Sequence, residues 1–292
     1  MRIASFHSIN GMVPMIILTQ KHQILKAASH NLYLVTGFVS YYRACTRRII
    51  MRLLIIRHGD PDYEHDSLTE QGRKEAEYLS EELCRQKIDH FYVSPYGRAK
   101  DTDSYTLDKM NRTAEELPWL KEFDLRIRRP DSPDRDRILW DWLPQDWTED
   151  QRFYQKDHWF ENEYMTPKHP EQEYKYVTEQ FDELLKKHGY RRERGYYIVE
   201  KSNKDTIAFF CHFGLGCVLL SHLWGVSPMI LWHNMCAAPT SITTLVTEER
   251  RQGAASFRML SYGAIPHLNA HNEEPSFAAR FCECFDDDTR HD

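Results

Sequence analysis

Two six-residue apolar runs, RLLIIR at 52–57 and TIAFFC at 206–211, each stop on a histidine followed closely by glycine, in His58-Gly59 and in His212-Phe213-Gly214. Neither run alternates apolar with polar residues, so a strand built from either must be covered on both faces. Helical patterns follow both runs. SLTEQGRKEAEYLSEELCRQ sets Ala76, Leu79 and Leu83 on one face with Ser67 or Thr69 available as N-cap, and GLGCVLLSHLWG reads as a buried helix. IDHFYVS, followed by a helix opening near Pro95, repeats the strand-then-helix unit, which predicts an α/β fold around a parallel sheet.

Further along, EQEYKYVTEQFDELLKKHGY spaces Val177, Phe181, Leu184, Leu185 and His188 as one helix face, ended by Gly189. GYYIVEK, SITTLVTEE and SFRMLSYG read as later strands, the last two joined by a turn at Gly253. Residues 123–170 interrupt this rhythm with Pro130, Pro133, Pro144 and tryptophans 140, 142, 147 and 159. The segment reads as an irregular, partly helical insertion over one face of the sheet, its aromatics packing rather than forming a ligand platform.

The first fifty residues contain no Asp or Glu, and their apolar runs are cut by Lys21, His22, Lys26 and Arg43. Neither run approaches the roughly 20 apolar residues that span a bilayer, and the start lacks a good secretory signal. The acid-free, Arg-containing start also fits a transit peptide; the favoured expectation is that residues 1–50 are an N-terminal extension outside the core and 51–292 the folded domain. A hydrophobic share of 41%, a charged share of 28% and a net charge of -6 describe a globular chain without a basic footprint. Nucleic acid and membrane partners are not expected. The seven cysteines are odd in number and scattered, which favours a reducing, cytoplasmic setting over a disulfide framework. Cys282-x-Cys284 has no second Cys/His pair at metal-finger spacing and reads as ordinary thiols, and no His/Asp cluster has ligand spacing, so no metal is expected, nor is a cofactor.

Three strand ends carry groups suited to an anion. Arg57-His58-Gly59 ends the first strand, Arg98 comes from the helix after YVS, and His212 ends a third strand. In parallel α/β sheets ligands bind at the carboxyl ends of strands, where helix N-termini offer free N–H groups. Guanidinium keeps its charge and presents a planar fork of donors, so Arg57 and Arg98 suit phosphate oxygens.

Through RHG at 57–59, SPYGRA at 94–99 and HFG at 212–214, the chain resembles the histidine phosphatase superfamily, the phosphoglycerate mutase-like group, over about residues 51–262. The resemblance implies a three-layer α/β/α sandwich with a mostly parallel central sheet. It implies His58 as the phosphoryl-accepting nucleophile and Arg57, Arg98 and His212 as phosphoryl ligands. The proton donor in this group is a carboxyl after the third strand; LKEF resembles its L-x-E pattern and selects Glu122 over Glu115, Glu116 and Asp124. The expected activity is hydrolysis of a small phosphate ester through phosphohistidine, without a metal. The alternatives are a phosphoglycerate-type mutase, for which Arg126, Arg128 and Arg129 are candidate holders of a second phosphate, and a non-catalytic phospholigand-binding protein. Asp60-Pro61, Asp103 and Phe213 depart from the group's pattern, and an Asn expected shortly after RHG is absent.

Overall fold

The computed structural model describes residues 51–276. The expectations for residues 1–50, and for Cys45, Cys282 and Cys284, lie outside the described residues. The chain runs β1 (Arg52–Arg57), a small hairpin of β2 (Pro61–Asp62) and β3 (Ser67–Leu68), α1 (Glu70–Leu83), β4 (His90–Val93), α2 (Gly97–Met110) and β5 (Glu115–Glu116). A hairpin of β6 (Arg126–Arg129) and β7 (Ser132–Ile138) follows, then α3 (Pro144–Glu149), short 3-10 turns and α4 (Pro170–Lys187). β8 (Tyr190–Glu193), β9 (Tyr196–Val199) and β10 (Thr206–Cys211) lead to α5 (Phe213–Trp224) and α6 (Pro228–Asn234). β11 (Ile242–Arg251), β12 (Ala254–Ala264) and α7 (Pro266–Ala270) end the described chain.

Eight strands form one sheet in the order β5-β4-β10-β1-β11-β12-β9-β8. Pairing is parallel from β5 through β1 and antiparallel beyond β1. The α/β architecture expected from the sequence is present, and its sheet is mixed. Two of the antiparallel pairs, β8–β9 and β11–β12, are hairpins, and Gly253 adopts φ 78° in the turn of the second, which glycine accepts without strain. The parallel half instead crosses over through helices, which brings β1, β4 and β10 to one edge by their carboxyl ends.

Period-2 geometry splits β1 between two cores. Leu54 and Ile56 pack with Leu79 and Leu83 of α1, Ala99 of α2 and Phe91 on one face. Leu53 and Ile55 belong to the core that holds Phe181 and Leu185 of α4, Leu219 of α5 and the insertion tryptophans. Double coverage is why β1 and β10 read as unbroken apolar runs. Trp140, Trp142, Trp147 and Trp159 are all buried, and Trp159 sits edge-on to Trp232 of α6 at 5.6 Å between ring centroids. Thr69 caps α1 by accepting from the Gly72 N–H at 3.0 Å, while α2 opens at Gly97, two residues after Pro95.

Asp103 lies buried on α2, which packs against α1, and burial pushes its carboxyl up to about 7. A carboxyl whose folded pKa exceeds its unfolded value binds its proton more tightly in the native state. Stability is then full below about pH 4 and falls as pH rises through 7. Asp103→Asn removes that slope. Relative to the native chain its Tm is expected to be little changed near pH 4 and several degrees higher at pH 8, at about 2–4 °C per kcal/mol for a chain of this size. Thermal unfolding of both proteins at the two pH values checks this, and an equal difference at both would contradict it.

Candidate active site

The carboxyl ends of β1, β4 and β10 converge on a cavity of about 620 Å³ whose walls include Arg57, His58, Arg98, Glu122, Arg126, Arg137, Trp140 and Phe213. His212 stands beside it, its ring 5.1 Å from that of His58. The five residues singled out from the sequence are thus brought together at one sheet edge, although they come from elements far apart in the chain.

His58 leaves β1 nearly buried, and its backbone is pinned from both sides. Its N–H donates to the Cys211 carbonyl at 3.0 Å, and its own carbonyl accepts from Thr240 N–H at 3.1 Å. Nδ1 lies 2.7 Å from the Gly59 carbonyl, an acceptor only, so Nδ1 must carry the hydrogen. In the neutral ring the lone pair is then on Nε2. Burial, followed by the charges of Arg57 and Arg98, holds the imidazole well below its ordinary pKa, so that ring is neutral.

Gly59 is needed for close approach: a Cβ there would come 2.8 Å from the Gly72 carbonyl oxygen of α1. The next residue, Asp60, turns away from the cavity. Its N–H donates to buried Glu75 at 3.1 Å, its carbonyl accepts from Thr69 N–H at 3.0 Å, and Oδ2 accepts from Thr69 Oγ1 at 2.7 Å. Asp60 therefore braces the loop after His58 against α1, and Pro61 starts the β2-β3 hairpin.

Arg98 is buried in the first turn of α2. Asp66, at φ 48° in that hairpin, accepts from Arg98 Nη1 at 2.6 Å and from Gly97 N–H at 2.7 Å. One carboxylate thus serves as a remote cap for α2 and aims the guanidinium, which also stacks over Tyr96 at 4.7 Å. Arg57 donates through Nη1 to the Ala237 carbonyl. On His212, Nε2 is 2.7 Å from Ser94 Oγ, which itself accepts from Tyr96 N–H at 3.2 Å. With the Ser94 hydrogen directed at Nε2, Nδ1 of His212 carries a hydrogen; this buried nitrogen has no partner among the described residues. Burial, then His58 and the two arginines, keep His212 neutral as well.

Glu122 reaches the N-terminus of α5. Oε1 accepts from Leu215 N–H and Phe123 N–H, each at 2.8 Å, and Oε2 from Gly214 N–H at 3.2 Å. These donors and Arg98 favour the carboxylate, but burial outweighs them and the pKa is raised. Gly214 makes the seat possible, since a Cβ there would lie 2.8 Å from Glu122 Oε1 and 2.7 Å from Trp140 Nε1. Trp140 cannot easily yield, because Nε1 donates to the Phe123 carbonyl at 2.9 Å. Gly214→Ala is expected to displace the carboxyl and lower kcat about 100-fold, the scale of an ångström-sized misplacement, with a folded far-UV spectrum retained. Unchanged turnover in that variant would show that the Glu122 seat is immaterial.

Neither Asp66 nor Ser94 is among the candidates read from the sequence, although Ser94 lies within SPYGRA. Of the three arginines considered for a second phosphate, Arg128 faces Asp136 at 3.7 Å, and buried Arg129 is spent on Asp131 and on the carbonyls of Trp140 and Asp141. Arg126 alone of the three lines the cavity without an ion pair among the described residues, and Arg137 joins it from β7. Arg137 Nε is buried without a hydrogen-bond partner.

Two neutral histidines and two arginines at the strand ends of an α/β sandwich, with a carboxyl held on a helix N-terminus, form one pocket whose donors and charge suit an anion. The chain matches the histidine phosphatase superfamily (branch 1) over residues 53–259, and it belongs to that family. It is 35% identical over 69 residues to the 2,3-bisphosphoglycerate-dependent phosphoglycerate mutase of Thermoplasma acidophilum, a stretch covering 20% of this chain and 34% of that protein. The chain thus matches about a third of the length of that relative. Among solved structures, a phosphoserine phosphatase mutant from Entamoeba histolytica in complex with phosphoserine is 17% identical, with 75% of this chain and 99% of that chain covered and a TM-score of 0.49. A mycobacterial glucosyl-3-phosphoglycerate phosphatase complexed with VO3 is 17% identical, with 73% and 98% covered and a TM-score of 0.46. No helix among the described residues is long and apolar enough to cross a membrane.

Proposed function

We propose that the protein is a phosphomonoesterase that hydrolyses a small phosphate ester through a phosphohistidine at His58. The observation that carries this reading is the neutral His58 ring, its hydrogen fixed on Nδ1, standing in a cavity with Arg57 and Arg98 and 5.1 Å from the His212 ring beside it. Nε2 donates its lone pair to phosphorus, the bond from phosphorus to the ester oxygen breaks, and the leaving oxygen takes the proton of Glu122. In the second half Glu122, now a carboxylate, takes a proton from water as the water oxygen attacks phosphorus. The P–N bond breaks and His58 recovers its lone pair. Arg57, Arg98 and the Nδ1 hydrogen of His212 hold the phosphoryl oxygens throughout. Fixed cations thus do the charge stabilisation that a metal would otherwise supply.

Arg126 and Arg137, which also line the cavity, favour a substrate with a second anionic group, a carboxylate or a second phosphate. That same feature keeps the mutase alternative open, because a mutase must hold a second acidic group while returning the phosphoryl group to substrate. A panel of phosphomonoesters with and without a second acidic group, assayed for phosphate release with chelator present, tests the proposal. Isomerisation of phosphoglycerate faster than phosphate release, in the presence of a bisphosphoglycerate primer, would replace hydrolase by mutase. Binding of the esters with no release from any would leave a phospholigand-binding protein.

A further inference from the structure

The opposite end of the sheet carries a second cluster that the phosphoryl reading does not use. His90 opens β4, Asp205 immediately precedes β10, and His188 ends α4. One ligating atom from each lies within 4.8 Å of the other two. His90 Nε2 is already 3.6 Å from Asp205 Oδ2, against about 3.4 Å between neighbouring ligands around a tetrahedral zinc. All three residues are half-buried, so an ion could enter and keep water as a further ligand.

The backbone around the cluster is tied together. Asn203 donates through Nδ2 to the His188 carbonyl at 2.7 Å and accepts from Asp205 N–H at 2.9 Å, so one side chain spaces two of the three groups. The Asp205 carbonyl accepts from Arg52 N–H at 2.9 Å, anchoring it to β1. Tyr92 Oη, 2.9 Å from His188 Nε2, fixes the second imidazole, the kind of outer contact that orients metal-binding histidines.

We infer that His90, His188 and Asp205 form a binding site for a zinc-type divalent transition ion, clamping β4, β10 and α4 at the end of the sheet remote from the candidate active site. Imidazole nitrogen with one carboxylate oxygen suits such ions better than Mg²⁺ or Ca²⁺, which take oxygen ligands. The inference is independent of the phosphoryl reading.

The test uses the full chain, freed of metal and titrated with Zn²⁺ by calorimetry. The expected result is one equivalent bound and a raised Tm, with His90→Ala and Asp205→Asn each lowering affinity at least about tenfold while keeping the native circular dichroism. Co²⁺ in place of Zn²⁺ should give visible d–d bands without the near-ultraviolet charge transfer of thiolate. Absence of stoichiometric binding to the native chain would overturn the inference. So would affinity and Tm shift that survive in both folded variants, or a thiolate-type Co²⁺ spectrum.

Discussion

His58→Ala is expected to abolish phosphate release, lowering kcat by about 10⁴-fold or more, as removal of a nucleophile does in enzymes that pass through a covalent intermediate. The fold should survive, because His58 is held through its backbone N–H and carbonyl, which alanine retains. Binding of the phosphate ester should survive as well, since Arg57, Arg98 and His212 remain. Steady-state kinetics together with ligand binding on the variant check this. Retained turnover would remove His58 from the chemistry altogether.

Glu122→Gln has the next largest expected effect, a loss of about 10²–10⁴-fold in kcat. Glutamine Oε1 can still accept from Leu215 and Phe123 N–H, while its amide NH2 forfeits only the longer contact from Gly214 N–H, so most of the seat is kept as the proton is lost. The sign of the pH dependence follows from the raised pKa of Glu122. Phosphoryl transfer to His58 needs the protonated acid, so the alkaline limb of that step lies above the range of an exposed glutamate. Dephosphorylation needs the carboxylate and falls on the acid side. His58, held low, adds no acid limb in the ordinary histidine range. In Glu122→Gln the limb due to this carboxyl should vanish, whereas a merely structural role would leave the profile unmoved. An ester with a good leaving group, which needs no proton, should recover much of the transfer rate in the variant.

How far the sequence carries depends on whether a feature is local. The strands β1 and β10 were legible because each is covered on both faces and so reads as a continuous apolar run. Their carboxyl ends, and hence Arg57, His58 and His212, followed from the α/β rule for ligand placement. The hairpin β6-β7 was not legible. RIRRPDSPDRDRI has two prolines and charges where alternation would mark a strand, yet Ile127 and Arg129 turn inward and Arg126 faces the cavity. Asp66 could not be read either, because its partners Gly97 and Arg98 lie on a different element 31 and 32 residues away. The same holds for Gly214, whose need for a missing side chain arises only once Glu122 is brought against α5. Asp60-Pro61, unexplained as sequence, belongs to loop bracing and not to the anion pocket.

The cluster of His90, His188 and Asp205 shows the same limit from another side. No spacing in the chain pairs these residues, since parallel register sets His90 beside Ile207 and so next to the residues that precede β10. Only the sheet assembles them.

The central claim is that His58 carries the phosphoryl group. Rapid quenching of the native protein with a ³²P-labelled ester that it hydrolyses, followed by peptide mapping, tests it most directly. The expected result is an acid-labile, alkali-stable phosphoenzyme mapped to His58, formed and lost at rates compatible with turnover and absent in His58→Ala. Turnover without any phosphoenzyme, or label on another residue, would contradict it.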